Sequence, residues 1–356
     1  MNASLSPSRP ERADEAPVVR SLGAGEEAAW DLFVRAAPDA TFFHLAAWRR
    51  IVEKIGGHRT HYLYASRAGA ITGVLPLAEI KSALFGHSLI STPFCVYGGA
   101  VADTEQDRNA LETRARELAE ELGVGYLELR NLRASAGEWQ QKDLYVTFRK
   151  RIAADDDANM KAVPRKQRAM IRKGIDAGLK SEIGHDVEPF YRMYSESVRN
   201  LGTPVLGKRF FAALLDEFGD SSDVLTVTRD GTPVSSVLSF YFRDEVLPYY
   251  GGGTADARDV KANDFMYWQL MRHAVQRGVT LFDFGRSKLG TGSFSFKTHW
   301  GFEPQPMPYQ YHLVRSPKVP DLSPMNPKYR TVIAVWKRLP VSVTQVVGPM
   351  VARYLG

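Results

Sequence analysis

The residues best suited to chemistry gather between Phe282 and Phe302. Asp283 sits between Phe282 and Phe284, and Arg286 follows shortly after. A carboxylate inside an apolar strand is costly unless it is paired. Asp283 can therefore orient Arg286 or accept a proton from an amine; otherwise it faces outward on an alternating strand. Arg286 can grip a phosphate with two parallel N–H bonds, and strand ends of α/β folds are where ligands bind. Lys297 lies between Phe296 and Thr298, in a glycine- and aromatic-rich segment that reads as a loop tied to the core. There it stabilises a phosphate or a developing oxyanion, or it is an ordinary surface lysine. Ser287 opens the polar, glycine-containing run that ends at Gly292.

Further candidates lie upstream. Tyr250 precedes Gly251-Gly252-Gly253. That run either lets a ligand approach the backbone or forms a bulge and turn. Asn263 and Asp264 stand where they can cap a helix, with Tyr267 one turn later in reach of the same cleft. Arg199, Asn200 and Thr203 form a polar cluster before Pro204, which reads as cleft or as loop cap. Residues 161–180 hold seven Lys or Arg, among them Arg165, Lys166, Arg168, Arg172 and Lys173, against Asp176 alone. A helix starting after Pro164 would display these charges. They hold a polyanion, such as tRNA or a sugar-linked pyrophosphate, or they are a solvated face. Interleaved aromatics that would stack bases are missing. The histidines show no metal-binding spacing.

The positioning elements occur twice. Val96-Tyr97-Gly98-Gly99-Ala100 is echoed by Tyr249-Tyr250-Gly251-Gly252-Gly253. A helical pattern follows each: Leu111, Ala115, Leu118, Ala119 and Leu122 in the first, Phe265, Trp268, Met271 and Val275 in the second. Each helix stops at a glycine, Gly123 or Gly278, and leads into an apolar strand, 124–129 or 279–284. Glycine-containing turns at Ala68-Gly69 and Asp230-Gly231 join strand pairs upstream. Each half reads as strand, turn, strand, strand with Tyr-Gly-Gly, helix, strand. The predicted division is a disordered lead over 1–17, a first domain over 18–154, a second over 155–315, and a Pro-rich tail over 316–356 ending in a docking helix.

Length and composition agree with this. The chain has 356 residues, 44% of them hydrophobic and 24% charged, which are globular values. Its net charge is +6, and residues 161–180 alone account for 7 − 1 = +6. The single cysteine, Cys95, excludes an intrachain disulfide framework and reads as a buried small hydrophobe. No signal peptide or transmembrane stretch is evident, so the protein is expected in the cytoplasm.

The strand–helix–strand repeat has the element order of the Gcn5-related N-acyltransferase (GNAT) fold, here as a pair. With Phe282-Asp283-Phe284-Gly285-Arg286-Ser287, Gly290, Gly292, Phe296-Lys297 and Trp300-Gly301-Phe302, the second half resembles the Fem family of tandem-GNAT transferases. Those enzymes move an aminoacyl group from aminoacyl-tRNA to a cell-wall precursor. Phe43-His44-Leu45-Ala46-Ala47-Trp48-Arg49, Ser91 to Gly99, Pro164-Arg165-Lys166-Gln167-Arg168 and Ser197 to Pro204 are similar to the FemAB-like branch associated with exosortase/PEP-CTERM systems and exopolysaccharide loci. The resemblance implies an α/β (α+β) fold of two tandem GNAT-like domains with mixed sheets flanked by helices, the second, BioF2-like one active. It places Lys297 by the acyl-donor site. The Arg/Gln-x-x-Gly-x-Gly/Ala loop familiar from acetyl-CoA binding is missing, and Ser287 to Gly292 only approaches it.

The resulting expectation is an N-acyl or aminoacyl transferase acting on an amine-bearing envelope or exopolysaccharide precursor. Lys297, Asp283 and Arg286 are its catalytic candidates. Tyr250, Asn263, Tyr267, Ser287, Arg199 and Asn200 are its substrate-binding ones. No tightly bound cofactor is expected, and the acyl donor is aminoacyl-tRNA or acyl-CoA. The acceptor is a sugar or peptide amine, and the C-terminal tail can attach peripherally to a membrane. The alternative is a non-catalytic carbohydrate- or polyanion-binding accessory protein of an exopolysaccharide or exosortase locus.

Overall fold

A computed structural model of the chain describes residues 15–319 and 329–355. Most of the expected disordered lead and part of the Pro-rich tail lie outside these residues. The described chain forms two compact units, one of residues 15–142 with 308–319 and one of 143–307 with 329–355.

The first unit is built on one sheet. Its strands run Val18–Ser21, Arg59–Arg67, Ala70–Ser82, Gly86–Ser91, Tyr126–Arg130, Tyr309–Leu313 and Gln140–Lys142 in spatial order. Neighbours are antiparallel except Gly86–Ser91 and Tyr126–Arg130, which are parallel. A parallel pair needs a crossover, supplied by helix Glu105–Leu122. Thr104 caps its start by accepting from the Asp107 N–H, and Gly123 ends it at φ +60°. Leu111, Ala115 and Ala119 of this helix pack with Leu63, Leu75, Leu77, Leu89, Leu127 and Leu129 of the sheet.

The second unit repeats that order. Lys180–Gly184, Ser222–Arg229, Thr232–Phe242, Glu245–Gly253, Leu281–Asp283 and Arg149–Arg151 form its main sheet. The parallel pair is Glu245–Gly253 with Leu281–Asp283, joined by helix Ala262–Gln276. Its core includes Phe148, Val237, Val246, Phe265, Leu270, Phe282, Phe284, Trp300 and Phe302. A small sheet of Ser287–Lys288, Tyr145–Thr147 and Gln305–Pro306 lies in the same unit.

Both predicted hairpin turns are present. Ala68 and Gly69 have φ of 47° and 77°, Asp230 and Gly231 of 49° and 79°, the paired positive φ of a tight hairpin turn. The sequence division at 154/155 and the compact units differ because each sheet takes in a strand from beyond its repeat. Arg149–Arg151 pairs with Leu281–Asp283, and Tyr309–Leu313 pairs with Tyr126–Arg130.

Three local expectations are corrected. Tyr97 lies in a buried loop after its strand, not within a strand as Tyr250 does. Thr92 at φ 44° and Phe94 at φ 69° end the strand there. Lys297 lies on helix Gly292–His299, whose start Thr291 caps, rather than in a loop. Asn263 and Asp264 lie inside their helix, where Lys261 at φ 58° occupies the cap position with no side-chain capping bond.

Candidate active site

The second unit's parallel strands stay together for only two residue pairs, Glu245 with Leu281 and Val246 with Phe282. Strand Glu245–Gly253 then runs on, while the other chain turns away at Gly285 with φ +66°. The strand's opposite edge remains paired with Thr232–Phe242 as far as Gly253. A register shift between Leu238 and Ser239 leaves Tyr249 as the extra residue. An edge that no strand of the sheet covers therefore continues from the parting to Gly253.

The glycine run lets helices close in on that strand. A Cβ at Gly252 would meet Ser197 Cβ at 2.6 Å, and one at Gly253 would meet Ala257 Cβ and Asn263 Oδ1 at 2.9 Å. Tyr267 Oη would lie 3.1 Å from a Cβ at Gly251. Asn263 and Tyr267 thus face the strand from the crossover helix. Burial, with the negative charge of Asp264 adding to it, pushes the Tyr267 phenol up to about 12, so it keeps its proton at neutral pH.

A buried charged cluster sits at the parting. Asp283 Oδ1 accepts from the Gly285 N–H at 2.6 Å and from the Thr147 hydroxyl at 3.3 Å. Its Oδ2 lies 3.2 Å from Arg149 Nε, and Arg149 Nη2 donates to Glu245 Oε2 at 2.6 Å. Burial first, and then the Asp283 charge, hold the Glu245 carboxyl above the usual carboxylate range. Lys297 Nζ donates to the carbonyls of Gly285 at 2.9 Å and Arg286 at 3.0 Å, and lies 5.5 Å from the Phe148 ring centre. Burial lowers its amine to about 7 despite the opposing pull of Asp283. Asp283 and Lys297 therefore brace one turn from two sides. Arg286 lies on that turn with its guanidinium 4.5 Å from the Tyr145 ring centre.

Asp283, Arg286, Ser287 and Lys297 come together, with Ser287 buried against the strand Tyr145–Thr147 and its hydroxyl without a hydrogen-bond partner among the described residues. Tyr250 does not join them. It packs among Tyr194, Phe211 and Tyr249, with ring centres 5.6, 5.1 and 4.6 Å away. Arg199 ends helix Val187–Leu201 and donates to the carbonyls of Lys337 and Leu339 at 3.3 Å, with exposed Asn200 beside it. Arg165, Lys166, Arg168, Arg172 and Lys173 all lie on helix Arg165–Asp176, and none forms an ion pair among the described residues. That helix crosses Ala262–Gln276 closely, since a Cβ at Gly174 would meet Phe265 Cβ at 2.8 Å.

Sequence reasoning missed Arg149, Glu245 and the network around Asp264. Gln167 Nε2 and Trp300 Nε1, the latter at 3.3 Å, both donate to Asp264 Oδ1. Burial raises that carboxyl to about 6. Glu245 carried one signal, an acid opening the apolar run Val246-Leu247. Arg149 carried none, because its partners lie about a hundred residues away.

Residues 165–298 match the family model described as an acetyltransferase (GNAT) domain. This stretch carries a GNAT domain. FemX resembles the chain at 15% identity and TM-score 0.67, over 88% of this chain and 100% of that one. A tandem GNAT protein from the clavulanic acid biosynthesis pathway does so at 13% and 0.53, over 86% and 100%. A DUF2156 C-terminal domain from Agrobacterium fabrum does so at 15% and 0.54, over 81% and 92%. The fold is thus two GNAT-like folds in tandem, with mixed sheets flanked by helices. No curated protein is significantly similar in sequence.

Proposed function

We propose that the second unit is the transfer centre of a FemAB-type N-acyl or aminoacyl transferase. It moves an acyl group from acyl-CoA or aminoacyl-tRNA onto the amine of an envelope or exopolysaccharide precursor. The observation that carries this reading is the parting of Glu245–Gly253 from Leu281–Asp283 over the braced turn at Gly285. A donor with peptide-like amides can lie along the uncovered edge near Gly251 and Gly253 as an added strand does.

The amine nitrogen attacks the acyl carbonyl. A C–N bond forms, and the C–S bond of a thioester or the C–O bond of an ester breaks. The leaving sulfur or oxygen takes the electron pair, and the amine's proton ends on it. Most of the rate comes from holding the reactants in line. Tyr267, protonated and facing Gly251, can donate to the developing oxyanion or to the leaving group. Asp283, Arg149 and Lys297 act as positioning residues for the turn that presents Arg286. Arg286 and the basic face of Arg165–Asp176 hold the donor's phosphates.

The five basic side chains without ion pairs also favour a second reading, a polyanion-binding accessory protein. Purified protein incubated with labelled acyl-CoA, or with aminoacyl-tRNA with and without RNase, separates the two. Transfer that falls at least tenfold in Arg286→Ala supports the first reading. Stabilisation by an acidic polymer, with no transfer from either donor, replaces it with the second.

A further inference from the structure

The C-terminal segment of the second unit is a helical pair, Arg330–Trp336 and Val341–Ala352, with one face held down. Thr344, Gly348 and Ala352 are buried, and a Cβ at Gly348 would lie 2.8 Å from the Val205 carbonyl oxygen. Arg199 ties the connection between the helices through two carbonyls. The pair is therefore a fixed surface.

Its outer face is apolar. Val332, Val335, Val343, Val346, Val347 and Met350 are exposed, Val346 and Met350 by about two thirds at 67% and 66%. Val343, Val346, Val347 and Met350 recur at i, i+3, i+4 and i+7 and so share one face of their helix. An exposed apolar face of this kind marks an interaction site. The charges beside it have one sign: the sequence has no acidic residue after Asp321. Arg330, Lys337 and Arg338 are exposed and form no ion pair among the described residues. A second copy of this face would add only further charges of the same sign. An anionic bilayer meets both features, taking the valines and methionine into its acyl boundary and the cations at its headgroups. Among the described residues no helix is long and apolar enough to cross a membrane, so the pair lies in the interface.

The geometry points to the face formed by Val332, Val335, Val346 and Met350 as a docking surface for an anionic phospholipid bilayer. It would bring the transfer centre to a lipid-borne substrate, but its test does not depend on transfer. The full chain is floated with vesicles of phosphatidylcholine alone or with phosphatidylglycerol. The expected result is recovery with the phosphatidylglycerol vesicles. Partitioning falls roughly tenfold for Val346→Glu with Met350→Glu, and for Lys337→Glu with Arg338→Glu. Val346→Ser with Met350→Ser gives a smaller loss and serves if the glutamates disturb folding. Leu84→Glu, at an 83% exposed site outside the face, leaves binding unchanged. The proposal is overturned if the unaltered chain stays with the buffer, or if neither Val346/Met350 pair changes partitioning. A concentration-dependent dimer that Val346→Ser abolishes would assign the face to a second copy instead.

Discussion

The two units part their parallel strands in the same way and treat the opening differently. In the first unit Gly86–Ser91 and Tyr126–Arg130 are paired from Ser88 with Tyr126 to Ile90 with Glu128. The chain's own loop 92–100, buried at all but Phe94, then fills the space. Gly98 N donates to the Arg130 carbonyl at 3.1 Å, Arg130 Nη1 to the Cys95 carbonyl at 2.5 Å, and Tyr309 Oη to the Val96 carbonyl at 2.7 Å. In the second unit the turn after the parting carries Gly285, Gly290 and Gly292, and a Cβ on any of them would meet nothing within 4 Å. The first unit satisfies the backbone at its parting with its own loop, whereas the second holds its turn with two charged side chains, Asp283 and Lys297. The same fold thus packs its parting with chain in one copy and leaves room around the glycines of its turn in the next.

Removing the acid at the second unit's parting has the largest expected effect. Asp283→Ala leaves Arg149 without one carboxylate and the Gly285 N–H without its acceptor. Breaking a buried charge network of this kind costs about 3–5 kcal/mol, read as a shift in the urea midpoint. Asp283→Asn, which keeps an acceptor oxygen, should recover part of it. If both variants unfold at the same urea concentration as the unaltered chain, the cluster is not what braces the turn.

The next test sets glycine against glycine. A Cβ at Gly99 would lie 1.6 Å from Asn131 Oδ1 and 2.8 Å from Asn131 Cα, so Gly99→Ala overpacks the filled parting and should cost about 2–3 kcal/mol. Gly285→Ala meets no atom and pays only for its positive φ, about 1 kcal/mol. Equal losses in thermal stability would mean that the second parting is as filled as the first.

Lys297 gives a pH signature that the first unit has no counterpart for. Burial depresses its amine in the folded state to about 7 from an ordinary 10.5. Its stabilising contribution is therefore complete above 10.5 and is lost as pH falls towards 7. Between those values stability should rise with pH by at most about 1.4 kcal/mol per pH unit from this group. Lys297→Met should flatten that rise in a series of thermal melts. An unchanged slope would remove the buried amine from the account.

How much of this could be read from the sequence depended on range. The turns at Ala68-Gly69 and Asp230-Gly231 and the stops at Gly123 and Gly278 depend on backbone conformations that a few adjacent residues dictate, and each was legible. The helix under Lys297 was not, because Gly292-Ser293-Phe294-Ser295 has low helix propensity. Its helix is held by the Thr291 cap and by ring packing of Phe294 on Phe148 at 5.5 Å and Phe296 on Tyr267 at 5.5 Å. The residues around Asp283 were half legible. The flanking phenylalanines left a paired buried carboxylate and an outward-facing one both open, and its partner Arg149 is set by the antiparallel pairing of Leu281–Asp283 with Arg149–Arg151. No spacing rule reaches across that separation. The echo of Tyr97 in Tyr250 concealed that one copy is loop and the other strand.

Asp264 gives the smallest and most discriminating effect. Its carboxyl is raised by burial from 3.8 to about 6 in the folded chain. The cost of its charge is thus absent below 3.8, grows as pH rises, and is complete above 6. That difference corresponds to about 3 kcal/mol. Asp264→Asn keeps an oxygen for the donors Gln167 and Trp300 but buries an amide N–H pair in place of Oδ2, which returns about 2 kcal/mol. The variant should therefore be more stable by about 1 kcal/mol at pH 7 and less stable than the unaltered chain near pH 4. A crossing of the two stability curves between those values assigns Asp264 a purely structural place between helix Arg165–Asp176 and Trp300 if transfer is retained. If transfer is lost while the crossing remains, the carboxylate itself belongs to the reaction, and the open parting of the second unit extends to this helix.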